Sequence, residues 1–362
     1  MKNAIGYDEM KKKVLFFLQS GVGGAERVTV TIGKNLDKEK FEAVFCLVGK
    51  TDQNLDIEHF IPHGYSVLRL PQIRGFKLLY ALMNAVKKEK PDVVFSSIMY
   101  VNTKLLACSI FFPKIKFIVR NNNYLYTLTK SQKLFLKLFY RFADVIIAQT
   151  DEMANELIEQ LNLPRCKVFA LQNPVDKQTI DSKKDVLCPF DKVGKRIYVA
   201  SGRFFPVKGF DILMKAFKMV YDKMPNSELY VVGKNTENCE DHFKKVVALA
   251  ESLKIRNAVH FEGFQTNPYK YVKNADCFVL SSRNEGLPNV LIEALYLGTP
   301  VAATTCIPVI SRIVDEGKNG FLAESENPES LAKAMMNAVE LGRVTSNFQS
   351  AAMMEFQKIF EA

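Results

Sequence analysis

Short runs of β-branched and aromatic residues alternate along the chain with longer stretches whose apolar positions recur at helical spacing. The pattern predicts strands at 14–18, 43–48, 93–96, 116–119, 145–148 and 168–171, with helices filling most of the gaps. The clearest helix runs over 77–88, where Leu78, Leu79, Leu82 and Ala85 recur at helical spacing before Pro91 ends it. From Asn173 and Pro174, through Asp181, Ser182, Lys183, Lys184 and Asp185 to Pro189, the periodicity lapses. It restarts with strands at 196–200, 229–232, 259–262, 277–280 and 301–303. Strands alternating with helices are the sequence form of β-α-β units and a parallel sheet. The chain therefore reads as α/β, with an N-terminal Rossmann-like domain over 1–173, a linker over 174–194 and a C-terminal Rossmann-like domain over 195–344. A helical segment over 345–362 follows, with a return to the first domain open to it. Two such domains would face a central cleft, and ligands in these folds sit at the carboxyl ends of the strands.

Composition narrows the partners. At 362 residues the chain exceeds what one core usually sustains. Its net charge of +10 points to an anionic partner: nucleotide phosphates, a membrane surface or nucleic acid. Helix-turn-helix, zinc-finger and RNP patterns are absent, which argues against nucleic acid. The seven cysteines contain no C-x-x-C pair, and their odd number fits a reducing, cytoplasmic setting. Residues 1–13 are polar, so no signal peptide is expected, and no apolar run approaches the ~20 residues of a spanning helix. His59 and His63 stand four apart, but Pro62 between them breaks the helix face that a metal pair would need.

Three segments carry candidate chemistry. In the first, Glu285-Gly286-Leu287-Pro288-Asn289-Val290-Leu291-Ile292-Glu293, two carboxylates flank a predicted helix start directly after a strand. Eight residues along a helix advance about 12 Å, comparable with the reach of a nucleotide sugar from hexose to ribose. Free N–H groups at the helix start suit a diphosphate. The plainer reading, a helix cap and a polar face residue, has equal standing for this segment alone. In the second, Gly202-Arg203-Phe204-Phe205-Pro206-Val207-Lys208-Gly209, a guanidinium and an ammonium five residues apart can grip one diphosphate or can be two solvated charges. The third, Ser20-Gly21-Val22-Gly23-Gly24-Ala25-Glu26-Arg27, is a glycine-rich loop open to either backbone approach or plain packing. Neither a Walker loop nor a G-x-G-x-x-G fingerprint is present, which disfavours an NAD-dependent oxidoreductase.

These segments occur in order with Phe261-Glu262-Gly263-Phe264, Gly298-Thr299-Pro300 and Asn319-Gly320-Phe321-Leu322. Together they resemble the retaining glycosyltransferases of family 4, with the GT-B fold, from the first strand to about Leu341. The resemblance implies that Arg203 and Lys208 hold the donor pyrophosphate, Glu293 the ribose and Glu285 the hexose hydroxyls. The backbone of Gly286, Leu287 and Asn289 would complete the cradle, and Gly23 and Gly24 would line the reaction centre. It further implies transfer of a hexose or N-acetylhexosamine from a nucleoside-diphosphate sugar, with UDP the expected nucleotide, to a glycan acceptor in polysaccharide assembly. The leaving phosphate would accept the proton, with no protein nucleophile. No cofactor and no obligatory metal are expected, since no D-x-D motif accompanies the two fixed cations. A catalytically silent nucleotide-sugar-binding subunit is the alternative.

Two segments depart from the family pattern. Phe117-Ile118-Val119-Arg120-Asn121-Asn122-Asn123 stands where many members place a His, leaving Arg120 as a substitute contact or the asparagines as turn residues. Thr304-Thr305-Cys306-Ile307-Pro308 replaces a Gly-x-Pro-Glu turn. Finally, residues 93–143 contain neither Asp nor Glu, while Lys104, Lys114, Lys116, Arg120, Lys130, Lys133, Lys137 and Arg141 are interleaved with apolar residues. Two readings stand: peripheral attachment to an anionic lipid surface at the inner face of the plasma membrane, serving a lipid-linked acceptor, or a buried helix face with a solvated basic side.

Overall fold

The computed structural model describes residues 11–49, 56–233, 239–345 and 352–362. It divides into two compact units, Met1–Pro174 with Ser350–Ala362, and Val175–Gln349.

The first unit is built on seven parallel strands, β1 (Lys12–Gln19), β2 (Phe41–Val48), β3 (Ser66–Leu70), β4 (Val93–Ser96), β5 (Lys116–Asn121), β6 (Val145–Ala148) and β7 (Val168–Ala170), ordered β3-β2-β1-β4-β5-β6-β7. In β1 all of Val14, Leu15, Phe16, Phe17 and Leu18 are buried, as expected of a central strand covered on both faces. One face packs under helix α1 (Gly24–Lys34) through Val28 and Ile32. Helices α2 (Gly75–Glu89), α3 (Met99–Ser109), α4 (Lys130–Phe139) and α5 (Asp151–Leu161) complete the crossovers of this unit. His59 lies in a single 3-10 turn, Ile57–Phe60, which ends before Pro62.

The second unit has six parallel strands, β8 (Arg196–Ser201), β9 (Ser227–Val232), β10 (Val259–Gly263), β11 (Cys277–Leu280), β12 (Val301–Thr304) and β13 (Gly320–Ala323), in the order β10-β9-β8-β11-β12-β13. Helices α7 (Phe210–Lys223), α8 (Glu240–Ser252), α9 (Tyr269–Asn274), α10 (Asn289–Tyr296), α11 (Ile310–Ile313) and α12 (Pro328–Val339) alternate with them. Every predicted strand is present; the pattern missed the edge strands β3 and β13. Part of the stretch read as a linker is instead helix α6 (Lys177–Lys183). It is tied into the second unit, where Asn267 Nδ2 donates to Lys183 O at 2.8 Å and Tyr296 Oη to Asp181 Oδ2 at 2.8 Å.

The C-terminal helix α13 (Ala352–Glu361) is part of the first unit. Phe356 and Phe360 are fully buried, and the Phe360 ring lies 5.8 Å from Phe16 and 5.7 Å from Phe95. Lys116 Nζ donates to Ile359 O at 2.6 Å and Lys12 Nζ to Glu361 O, so two lysines satisfy carbonyls that end a helix without partners.

Candidate functional site in the second unit

Strand order decides which loops meet. β8 and β11 are neighbours, with Cys277 beside Tyr198 and Phe278 beside Val199. The chain leaves β8 toward β9 on one side, whereas β11 leads to β12 on the other. This reversal is the topological switch point at which open parallel sheets bind ligands beyond the strand ends. The loop after β8 carries 202–209 and the loop after β11 carries 281–288, so two predicted segments some 77 residues apart converge there.

Their meeting is an ion pair. Lys208 Nζ donates to Glu285 Oε1 at 2.6 Å, with side-chain exposures of 24% and 12%. Ser282 Oγ donates to the same oxygen at 2.6 Å. Glu285 Oε2 takes no hydrogen bond from a described residue, and it remains available to a ligand hydroxyl. The two loops are also stitched through their backbones. Ser281 Oγ donates to Lys208 O at 2.9 Å, and Arg283 N donates to Val207 O at 2.7 Å. The Arg283 guanidinium donates to Pro206 O at 2.7 Å and forks onto both oxygens of Asp211, in the first turn of α7, at 2.7 Å each. Its Nε reaches Glu326 at 2.6 Å. Hydrogen bonding to Asp211 raises the Arg283 pKa and holds the Asp211 carboxyl below its usual range.

Gly209 closes this arrangement. Its φ of +63° is left-handed, and a Cβ there would lie 2.0 Å from Ser281 O. The Lys208 turn can approach the β11 end only because residue 209 has no side chain.

The other expected residues are placed less tightly. Arg203 is exposed, its guanidinium 5.2 Å from the centre of the Phe205 ring, and it makes no ion pair with a described residue. Phe204 anchors the loop between them, fully buried against Phe210, Phe243 and Phe261. Gly286 and Leu287 lie in the bend before α10, Asn289 is its first residue, and Glu293 is half-buried one turn later. Pro288 is the residue before the helix, and its carbonyl accepts from Leu291 N at 3.0 Å. Only four of the eight steps from Glu285 to Glu293 are therefore helical, and the 12 Å expected from a continuous helix does not apply. Gly23 and Gly24 belong to the first unit, as the cap and first residue of α1. A Cβ on Gly23 would fall 2.3 Å from Glu26 Oε2.

Sequence reasoning missed Ser281, Ser282 and Arg283. All three lie within four residues before Glu285, and that proximity was the available signal. Cys306, in the turn after β12, is pushed up to about 12 by burial first and by the charge of Glu285 next. Its thiol stays neutral beside the ion pair.

The family comparisons agree with this geometry. A family model described as Glycosyltransferase Family 4 matches residues 22–179, and one described as Glycosyl transferases group 1 matches residues 189–353. The chain belongs to the group 1, family 4-like glycosyltransferases. These are enzymes of the hexosyltransferase class. A protein of Haemophilus influenzae named as an uncharacterized glycosyltransferase is 27% identical over 341 residues, covering 90% of this chain and 89% of the relative. The N-acetylgalactosamine-N,N'-diacetylbacillosaminyl-diphospho-undecaprenol 4-alpha-N-acetylgalactosaminyltransferase of Campylobacter jejuni is 23% identical over 367 residues, covering 95% and 94%. Among solved structures, Anabaena HepE in complex with UDP and glucose superposes with a TM-score of 0.80 at 19% identity, over 97% of this chain and 98% of that one. The fold of the glycosyltransferase is therefore GT-B.

Gly209→Ala tests whether the two loops must touch. A side chain in the left-handed region costs roughly 1–3 kcal/mol, and the clash with Ser281 O adds to it. We expect a lower urea midpoint together with weakened nucleotide binding. Wild-type nucleotide affinity in this variant would show that the stitched geometry is not required.

Proposed function

We propose that the glycosyltransferase is a retaining enzyme that moves a hexose or N-acetylhexosamine from a UDP-sugar to a lipid-linked glycan in cell-surface polysaccharide assembly. The observation that carries this reading is the Lys208–Glu285 pair at the switch point of the second unit, a cation and a carboxylate fixed where a strand-end ligand would lie. The UDP in HepE and the diphospho-undecaprenol in the name of the Campylobacter relative support the choice of donor and acceptor class.

Lys208 and Arg203 would neutralise the diphosphate as the sugar–phosphate bond breaks. The exposed Arg203 is free to swing onto it, and the ammonium of Lys208 has donors beyond the one spent on Glu285. The backbone at Gly286, Leu287 and Asn289 offers N–H groups at the start of α10, where the helix dipole favours negative charge. Glu285 Oε2 would accept from sugar hydroxyls and Glu293 from the ribose. With the acceptor hydroxyl attacking on the face that the phosphate leaves, that phosphate takes the proton and no protein nucleophile is needed. Catalysis is then positioning and electrostatic stabilisation. Two protein cations on the diphosphate make a divalent metal dispensable. Gly23 and Gly24, at the start of α1, would present backbone to the reaction centre.

The first unit supplies a reason to expect a membrane surface. Helix α4 buries only Leu136 and leaves Leu134, Phe135 and Leu138 exposed beside Lys133 and Lys137. Ile110 and Phe111, just beyond α3, and Phe76 and Tyr80 on α2 are exposed as well. Apolar residues left outside among lysines suit an anionic bilayer better than a buried helix face. Among the described residues no helix is long and apolar enough to cross a membrane, so attachment would be peripheral.

Assays in excess EDTA with a panel of nucleotide sugars test the chemistry. Glu285→Gln should abolish most turnover with UDP affinity nearly unchanged, whereas Glu293→Ala should weaken UDP binding by roughly 1–3 kcal/mol, the loss typical of charged hydrogen bonds. NMR of the product should show the donor's anomeric configuration retained. Inversion, near-native turnover of Glu285→Gln or loss of activity in EDTA would each remove a part of the reading. For the membrane, vesicles of anionic lipid should float the enzyme at low salt, and joint substitution of Lys130, Lys133 and Lys137 by Glu should end this, at about 1 kcal/mol per charge. Absence of flotation for the wild type would restrict the enzyme to soluble encounters.

A further inference from the structure

Outside the second unit, one buried charge has no use in the chemistry above. Arg120, near the end of β5, is the largest fully buried side chain described, 1% exposed. Moving a guanidinium out of water costs several kcal/mol unless an opposite charge accompanies it. Among the described residues no carboxylate pairs with it. Its Nη1 donates to Asn122 Oδ1 at 2.7 Å and its Nη2 to Asn173 Oδ1, while Nε has no acceptor at all. Only two of the five N–H groups of the guanidinium are thus engaged by these bonds. Burial draws the pKa of Arg120 down to about 9, which leaves it charged at neutral pH.

The surroundings are polar and neutral. Asn122 Nδ2 donates to Ser97 O at 2.6 Å, Gln149 Nε2 reaches Asn122 Oδ1 at 3.4 Å, and Asn102 Nδ2 donates to Arg120 O at 3.1 Å. Gln149 Oε1 and Asn102 Oδ1 are themselves buried without partners. Ser97, Asn122, Gln149 and Asn173 follow β4, β5, β6 and β7, so the cluster runs along the carboxyl edge of the sheet from the strand where its order reverses. Ser97 Oγ is 2.8 Å from Thr29 Oγ1 on α1, which links the cluster to the glycine-led helix. Of the two residues that hold the guanidinium, Asn122 is half-buried and Asn173 buried.

We propose that this edge of the first unit is an anion site, in which Arg120 takes a phosphate or diphosphate group of the acceptor as the missing counter-charge. Forked guanidinium contacts are well matched to phosphate oxygens. The assignment to the acceptor rests on the proposed transfer to a lipid-linked glycan; the anion site itself does not.

The test is thermal melting of the UDP-saturated enzyme as inorganic pyrophosphate is added, with UDP present so that the second unit is already occupied. Wild type should gain roughly 5–10 °C at a hundredfold excess over Kd. Arg120→Met, close in volume and uncharged, should melt no lower than wild type without anion, bind UDP within twofold, and show no pyrophosphate gain. Arg120→Lys, which keeps the charge and loses the fork, should recover part of it. A wild type that gains nothing over UDP alone overturns the proposal without recourse to any variant, as does an Arg120→Met that responds fully. A short-chain polyprenyl diphosphate in detergent, acting at tenfold lower concentration than pyrophosphate and only with Arg120 present, supports the acceptor assignment. Equal potency would overturn that assignment and leave a site for free anions. If UDP itself fails to stabilise the wild type, the donor reading falls, while the pyrophosphate difference between wild type and Arg120→Met still decides this one.

Discussion

Parallel strands cannot be joined by tight turns, so each connection crosses the sheet, and where the crossovers from two adjacent strands depart in opposite directions two strand ends are left uncovered side by side. In the second unit those strands are β8 and β11. Everything polar that the site requires hangs from that reversal. The loop after β8 can bring Lys208 to Glu285 because β8 and β11 are hydrogen-bonded neighbours, and the approach is close because Gly209 has no side chain to hold it away from Ser281. Arg283 then fixes the contact from outside by gripping Pro206 O, Asp211 and Glu326 together.

The two units solve the problem of placing a cation at a sheet edge in opposite ways. Lys208 remains partly solvated and has a carboxylate partner already in place, so its charge costs little and can be redistributed when a phosphate arrives. Arg120 is fully buried with amide oxygens for company. An arrangement of the second kind holds a fold together poorly, since a nonpolar residue of the same size would often do it as well. Its persistence is more readily understood as binding capacity than as packing.

How much of this could be read beforehand follows from burial. Central strands such as β1 and β11 are covered on both faces and announce themselves as unbroken apolar runs. The edge strands escaped: β3 is half-exposed and carries Arg69, and β13 is four residues long and begins with Gly320. Helix α6 was taken for a linker because Ile180 is its only buried residue, too little to create a period. In the site, Glu285 and Lys208 were legible because each lies in a segment with glycine and proline at telling positions. Arg283 was not, because its partners Asp211 and Pro206 lie more than seventy residues away and only the strand order brings them near.

The central claim, that the uncovered ends of β8 and β11 form the donor site, is tested most directly by hydrogen–deuterium exchange with and without UDP. The account predicts the largest slowing at the amides of 202–209 and 284–293. Slowed exchange confined to other segments, with these two unchanged, would contradict it.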